Sequence, residues 1–377
     1  MEALEIAFWL AAGLLVYTHL GYPLLLAMLS PLARRDRRGH GLPAEPPPAT
    51  LIVAAHNEER VIGRWVAAAR ALEYPPGRLD IVVACDGCTD ETAARAREAG
   101  AHRVLELERG GKVAALNAAV EDARGEVLAF SDANAVWEPN ALLRLTERLA
   151  DPQLGYVCGQ VRFTGADGVE NQEGLYWRYE MGVRAMESRL AGVTAGNGAI
   201  NAMRREAYIP LEPTRGQDIS FPFELAKRGW RSAYEPTAVA SEAMAPTIGG
   251  EFQRKRRMMA GAWNTILRTG LLSPRGYSPL FALQIYSYRL LRYASPILHL
   301  VALAANVALL GEGPVYAITL AAQLALVAGA LLGRVVPWRP LRIARYYAAV
   351  TAASAVGLWD FLRHGVPRTW ESVEGTR

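Results

Sequence analysis

Apolar stretches near both ends of this 377-residue chain bracket a polar middle, and that arrangement limits what the chain can fold into more than any single motif does. Residues 6–32 are predominantly apolar, long enough to cross a hydrocarbon layer of about 30 Å as a helix rising about 1.5 Å per residue. Beyond Pro279 the sequence turns apolar again, with runs at 295–310, 315–333 and 346–362. The pattern predicts one N-terminal and two or three C-terminal membrane spans. The last is the weakest, because it carries Ser354 and ends near Asp360. Glu2 and Glu5 precede the first run while Arg34, Arg35, Arg37 and Arg38 follow it, the reverse of a secretory signal peptide. Positive charge on that flank, and at Arg334, Arg339, Arg342 and Arg345, predicts a multi-pass protein of the cell membrane with its middle domain in the cytoplasm.

A hydrophobic content of 51% beside 21% charged residues fits a soluble domain joined to such spans. The net charge of +4 arises from basic residues beside apolar segments, where phospholipid explains them, so no nucleic-acid partner is expected. Three cysteines make no disulfide framework. Cys85-x-x-Cys88 has no second pair to complete a zinc site and flanks an Asp-Gly turn, so both are read as packing residues.

Within the middle, the apolar runs 50–55, 79–84 and 126–130 alternate with helical stretches rich in Ala, Arg and Glu. Continuous apolar strands of this kind predict a mostly parallel α/β sheet covered on both faces. The expected organisation is a membrane helix at 1–34, a Gly- and Pro-rich linker at 35–48, the α/β domain at 49–245, interfacial amphipathic helices at 246–290 and a membrane region at 291–377. Polar clusters follow three strands: His56-Asn57-Glu58-Glu59, Asp86-Gly87 and Ser131-Asp132-Ala133-Asn134. Each alone reads as an ordinary turn or cap, but together they converge on the sheet edge where α/β proteins bind ligands. No Gly-x-Gly-x-x-Gly follows the first strand, which excludes a dinucleotide-dependent oxidoreductase.

An ordered series carries a more specific signal: Asn57-Glu58, Asp86-Gly87-x-Thr89-Asp90, Gly111-Lys112-x-x-Ala115-Leu116-Asn117, Asp132-Ala133-Asn134, Gly196-Asn197-Gly198 and Gln217-Asp218. In this order the chain resembles glycosyltransferase family 2 over about residues 50–263, and is similar to poly-N-acetylglucosamine, cellulose and hyaluronan synthases. The resemblance implies a GT-A fold, a Rossmann-like domain that binds a nucleotide-sugar, set between membrane helices. It implies Ala55, Asn57, Glu58, Asp86, Lys112 and Asp132 as nucleotide-binding residues, with Asp86 on the uracil or ribose and Lys112 near phosphate. It further implies Mg²⁺ or Mn²⁺ on Asp132 and Asn134, where many relatives carry a second acid. Asp218 is implied as the general base of an inverting displacement. Gly196, Asn197, Gln253 and Arg256 are implied at the acceptor and diphosphate.

Gln253-Arg254-Lys255-Arg256-Arg257 aligns with the family's Gln-x-x-Arg-Trp motif, except that Arg257 stands in place of Trp, and it also reads as a basic helix on anionic lipid. The resemblance favours a UDP-sugar donor and a lipid-linked, membrane-associated or growing glycan acceptor. Three or four spans are few for passing a polymer through the membrane. The expectation is therefore either the addition of one or a few sugars, or polymer synthesis with a partner subunit or a second copy. A non-catalytic nucleotide-sugar-binding protein is the contrasting reading, and Asp86, Asp132 and Asp218 argue against it. Trp177, Tyr179, Trp230 and Tyr234 are candidates for lining an acceptor path, but aromatic residues at such positions are more often core and are read so here.

Overall fold

A computed structural model of the chain describes residues 1–33, 45–164, 170–243 and 248–367. The basic cluster from Arg34 to Arg38, most of the expected linker and the start of the expected amphipathic region at 246 lie outside the described residues. The last linker residues belong to the folded domain, since the Tyr74 hydroxyl donates to the Pro47 carbonyl and Arg78 Nη1 donates to that of Pro46 at 3.2 Å.

The middle of the chain forms one eight-stranded mixed sheet: β1 (Ala49–Ala55), β2 (Leu79–Asp86), β3 (Arg103–Leu107), β4 (Val127–Ser131), β5 (Ala135–Trp137), β6 (Leu154–Thr164), β7 (Asn201–Arg204) and β8 (Arg231–Ala243), in the order β3-β2-β1-β4-β7-β6-β8-β5. The half from β3 to β4 is parallel. In the other half β7 runs antiparallel to β4 and β6, and β5 runs antiparallel to β8.

Alternation explains why β1 and β2 read as unbroken apolar runs. Leu51, Val53, Ile81 and Val83 point to one face and pack with Ile62 and Trp65 of the Ile62–Arg70 helix. Ile52, Ala54, Val82 and Ala84 point to the other and pack with Val113 and Leu116 of the Lys112–Asp122 helix. Both faces are dry, so residues 51–55 and 81–85 are apolar without a break, each large side chain contributing about 1.5–3 kcal/mol on burial. The carboxyl ends of β1, β2 and β4 are left at one edge, carrying the three polar clusters.

Among the described residues two helices are long and apolar enough to cross a membrane, Glu2–Leu29 and Pro314–Leu332, which makes the chain a multi-pass membrane protein. The run expected as a span at 295–310 is the second limb of a bent pair, Pro279–Tyr293 and Ser295–Ala308, which together are long and apolar enough for a span and meet at 64°. Pro296 accounts for the break, because its ring lacks an N–H and crowds the carbonyl four residues earlier. The Arg339–His364 helix does not reach the hydropathy of a span and lies along the Ile248–Arg268 helix. Their contact is close: a Cβ added at Gly357 would fall 2.6 Å from Met259 Cβ and 2.9 Å from the Arg256 carbonyl oxygen.

Candidate active site

At the end of β2, the buried Asp86 carboxylate is held by its own protein. Oδ1 accepts from the Gly110 and Gly111 amides at 2.6 and 3.0 Å, and Oδ2 accepts from Gly111 N at 3.1 Å and Arg109 Nη1 at 2.8 Å. Gly111 has φ of 96°, a left-handed conformation that lets the chain turn straight into the Lys112–Asp122 helix. Asp86 thus fixes the loop that launches Lys112. Asn57 lies one strand away with φ of 54°, and its Oδ1 accepts from Thr89 N at 2.9 Å, tying the loops after β1 and β2 together. Cys85 is buried, and Cys88 Sγ donates to the Ala55 carbonyl at 3.4 Å.

Lys112 projects from that loop to form an ion pair with Asp132 Oδ1. Gly198 closes over this pair, for a Cβ there would lie 3.1 Å from Lys112 Nζ, 3.3 Å from Asp132 Oδ2 and 3.4 Å from Gln217 Nε2. Gly196 is packed more tightly, since a Cβ would fall 1.9 Å from the Tyr156 hydroxyl oxygen. Its amide donates to the Asp218 carbonyl at 2.8 Å, joining this loop to the start of the Gln217–Lys227 helix. The Asn197 side chain is also committed to the loop, donating to the Gly159 carbonyl and accepting from Ile200 N, both at 2.8 Å.

These elements line one cavity of about 600 Å³ whose walls include Glu58, Lys112, Asp132, Asn134, Gly196, Asn197 and Asp218. Ala55, Asn57, Asp86, Gln253 and Arg256 are not among its lining residues. For the last two the helix register gives the reason. Arg256, Ala260 and Trp263 share the face turned to the Arg339–His364 helix, where Arg256 pairs with both Asp360 oxygens at 2.5 and 2.7 Å and Trp263 Nε1 donates to the Ser354 carbonyl at 3.1 Å. Gln253 is exposed. Arg254, Lys255 and Arg257 line the cavity instead. Trp177 and Tyr179, read as core from sequence, line it too.

Sequence reasoning missed Glu242. It belongs to β8, and pairing with β5 sets it opposite Ala135, next to Asn134, whose Nδ2 donates to Glu242 Oε1 at 3.1 Å. Burial, then the nearby Asp132, push the Glu242 carboxyl up to about 7. Burial likewise raises Asp218, with Asp132 adding to the rise and Lys112 opposing it. Burial disfavours the Lys112 ammonium, yet Asp132, Asp218 and Glu242 together hold its pKa above the ordinary value. The result is Lys112 set among three carboxylates, two of which, Asp218 and Glu242, burial holds above the ordinary carboxylate range, with Arg184 and Arg254 opposing the rise.

A pH dependence follows. The folded protein binds a proton at Glu242 that the unfolded chain has released, so this group stabilises most below the usual carboxylate pKa and its contribution is lost as pH rises toward about 7. Thermal melts from pH 5 to 8 should show a smaller loss of stability with rising pH in Glu242→Gln than in the parent. Parallel profiles would show that Glu242 does not titrate in that range.

A family model described as "Glycosyltransferase like family 2" matches residues 46–261. Among curated proteins the chain is 25% identical over 230 residues to the poly-beta-1,6-N-acetyl-D-glucosamine synthase of Staphylococcus aureus, covering 58% of this chain and 55% of that one. It is 29% identical over 266 residues to the beta-monoglucosyldiacylglycerol synthase of a Nostoc species, covering 64% and 56%. The chain therefore spans little more than half the length of these relatives. A solved mannosyltransferase from Pyrobaculum calidifontis, in complex with GDP-Man and Mn²⁺, superposes with a TM-score of 0.71 at 25% identity over 95% of this chain and 99% of that one. The family match takes in more than half of the chain, including every strand of the sheet, and on that ground this protein belongs to glycosyltransferase family 2, with a GT-A-like domain carried between membrane helices.

Proposed function

We propose that the protein is an inverting transferase that moves a sugar from a nucleotide-sugar to an acceptor at the membrane, with the GT-A-like domain on the cytoplasmic side. The observation that carries this reading is the lining of one cavity by Lys112, Asp132 and Asp218 at the carboxyl edge of the sheet. Asp218 takes the proton from the acceptor hydroxyl, and burial, by raising its pKa, makes it a stronger base than an ordinary carboxylate. The acceptor oxygen displaces the diphosphate directly at the anomeric carbon, which inverts its configuration. Lys112 supplies positive charge where the diphosphate leaves.

Asp132 and Asn134 fit a hard divalent cation in part. Both offer oxygen, and because the Asn134 amide nitrogen is committed to Glu242, its carbonyl oxygen is the end left for a cation. Among the described residues no group of three or more His, Cys, Asp or Glu side chains is arranged for a metal, so Asp132 and Asn134 would hold the cation only together with oxygen ligands from outside the protein. When bound, Mg²⁺ or Mn²⁺ would neutralise charge on the leaving diphosphate.

The family resemblance favours a UDP-sugar, whereas the structural relative holds GDP-Man, so both nucleotides belong in the test. Full-length protein in lipid, offered UDP- and GDP-sugars with Mn²⁺ or Mg²⁺, should bind one donor in a metal-dependent way and release its nucleoside diphosphate when an acceptor is present. Asp132→Ala should weaken donor binding about tenfold or more in the presence of metal and little in its absence. Binding of no member of the panel would overturn the transferase reading.

A further inference from the structure

The cavity continues past Asp218 toward the membrane helices. Its far wall includes His19 of the first span, Ser295 at the bend of the broken pair, and Tyr347 and Val350 of the Arg339–His364 helix. One continuous volume thus joins the carboxylates to helices that meet lipid.

Arg184 lies along this passage, on the Glu170–Leu190 helix. That helix is tied to the first span: the Tyr22 hydroxyl donates to Glu187 Oε1 at 2.7 Å, and the Tyr179 hydroxyl donates to the His19 carbonyl at 3.0 Å. Arg184 is only 8% exposed, and its Nη2 donates to the Gly196 carbonyl at 3.2 Å. Its Nη1 lies 3.9 Å from Met181 Sδ, a weak acceptor, and its Nε has no hydrogen-bond partner. Among the described residues no carboxylate reaches Arg184 within ion-pair distance. A buried guanidinium with Asp218 and Glu180 nearby but neither in direct ion pairing leaves part of its donor fork unused, and that planar fork matches phosphate oxygens in pairs. The neighbouring cations are better provided for: Arg292 pairs with Glu180, and Arg289 Nε donates to Thr194 Oγ1 at 2.8 Å.

Resting on the transferase reading above, we propose that the acceptor is an anionic membrane amphiphile whose phosphate is received by Arg184 and whose head-group hydroxyl is presented to Asp218. Its tail leaves along the apolar lining at Met258 and Val350. In the transfer, the hydroxyl proton passes to the Asp218 carboxylate and the hydroxyl oxygen bonds to the anomeric carbon. The bond from that carbon to the diphosphate breaks, and the diphosphate departs with the electron pair. Arg184 acts on the side of Asp218 opposite Lys112 in function, Lys112 serving the diphosphate that leaves and Arg184 the phosphate that stays. A hydroxyl nucleophile needs a base, whereas an acceptor attacking through its own phosphate oxygen would not, so Asp218 argues for a phosphate that anchors rather than reacts.

The test titrates full-length protein in neutral mixed micelles with phosphatidylinositol, which has phosphate, hydroxyls and tails, with diacylglycerol, which lacks phosphate, and with inorganic phosphate, which lacks tails. Phosphatidylinositol should bind saturably and the other two much more weakly. Arg184→Gln should weaken phosphatidylinositol binding about tenfold or more and leave nucleotide-sugar affinity unchanged, while Arg184→Lys, which keeps the charge, should recover part of the loss. Equal binding by parent and Arg184→Gln, or diacylglycerol binding as tight as phosphatidylinositol, would overturn the proposal. Inorganic phosphate binding as tightly as the lipid would replace the amphiphile by a soluble anion, and a parallel loss of donor affinity in Arg184→Gln would move the guanidinium to the donor's diphosphate. Donor affinity is read in the same samples, so parent protein that binds a nucleotide-sugar but no phosphatidylinositol speaks against this acceptor alone, and protein that binds no donor speaks against the transferase reading.

Discussion

Asp218→Asn should bind donor like the parent and transfer sugar about 10²- to 10⁴-fold more slowly, the range that a positioned general base contributes. The amide keeps the size of the carboxylate and leaves the Asp218 carbonyl that accepts from Gly196 N untouched, so the loop should hold its place. What it loses is a proton acceptor. The acidic limb of the parent's rate-against-pH profile should lie above the ordinary carboxylate range, because burial raises Asp218, and the variant's residual rate should lack that limb. Release of nucleoside diphosphate in the presence of acceptor measures both. Transfer at the parent rate by Asp218→Asn would remove Asp218 from the mechanism.

Gly196→Ala should be nearly as damaging by a different route. The added methyl would meet the Tyr156 hydroxyl oxygen at 1.9 Å and Tyr156 Cζ at 2.7 Å, and Tyr156 is itself buried in the core beside Phe221. Neither side can yield without moving the 196–198 loop off Asp218 or the ring out of its packing, at a cost of about 1–3 kcal/mol. A melting temperature lowered by several degrees together with loss of transfer is the expected result. Tyr156→Phe in the same chain removes the hydroxyl but not the ring carbons, so it should restore stability only in part. Full restoration would show that the clash is confined to the hydroxyl, and no restoration would place it in the ring.

The parallel half of the sheet was legible because burial on both faces writes itself into consecutive residues. The runs read at 50–55, 79–84 and 126–130 are β1, β2 and β4 to within two residues at either end. β3 escaped notice because Arg103 and Glu106 interrupt its apolar pattern at the sheet edge. Lys112, Asp132 and Asp218 were readable since each follows a strand or opens a helix, where short motifs keep their local context. Glu242 and Arg184 were not, for each reaches the cavity through tertiary pairing: β8 on β5 for Glu242, and packing of the Glu170–Leu190 helix on the first span for Arg184. The basic helix falls between these cases. Spacing of three and four residues groups Arg256 with Ala260 and Trp263, an apolar seam that assigns Arg256 to a neighbouring helix, whereas alignment to a motif of processive synthases points it at the substrate.

The missing Cβ at Gly357 has a consequence for the whole machine. Because the Ile248–Arg268 and Arg339–His364 helices touch backbone to backbone there, and Arg256 locks onto Asp360 one turn away, neither can slide along the other. The sheet and its carboxylates are thereby clamped, like a tool to its bench, to a helix that itself packs on the Pro314–Leu332 span. For the lipid acceptor proposed above, such a clamp would select by how far the reactive group stands from the membrane surface, so head groups of the right chemistry but the wrong reach would be turned away by geometry alone.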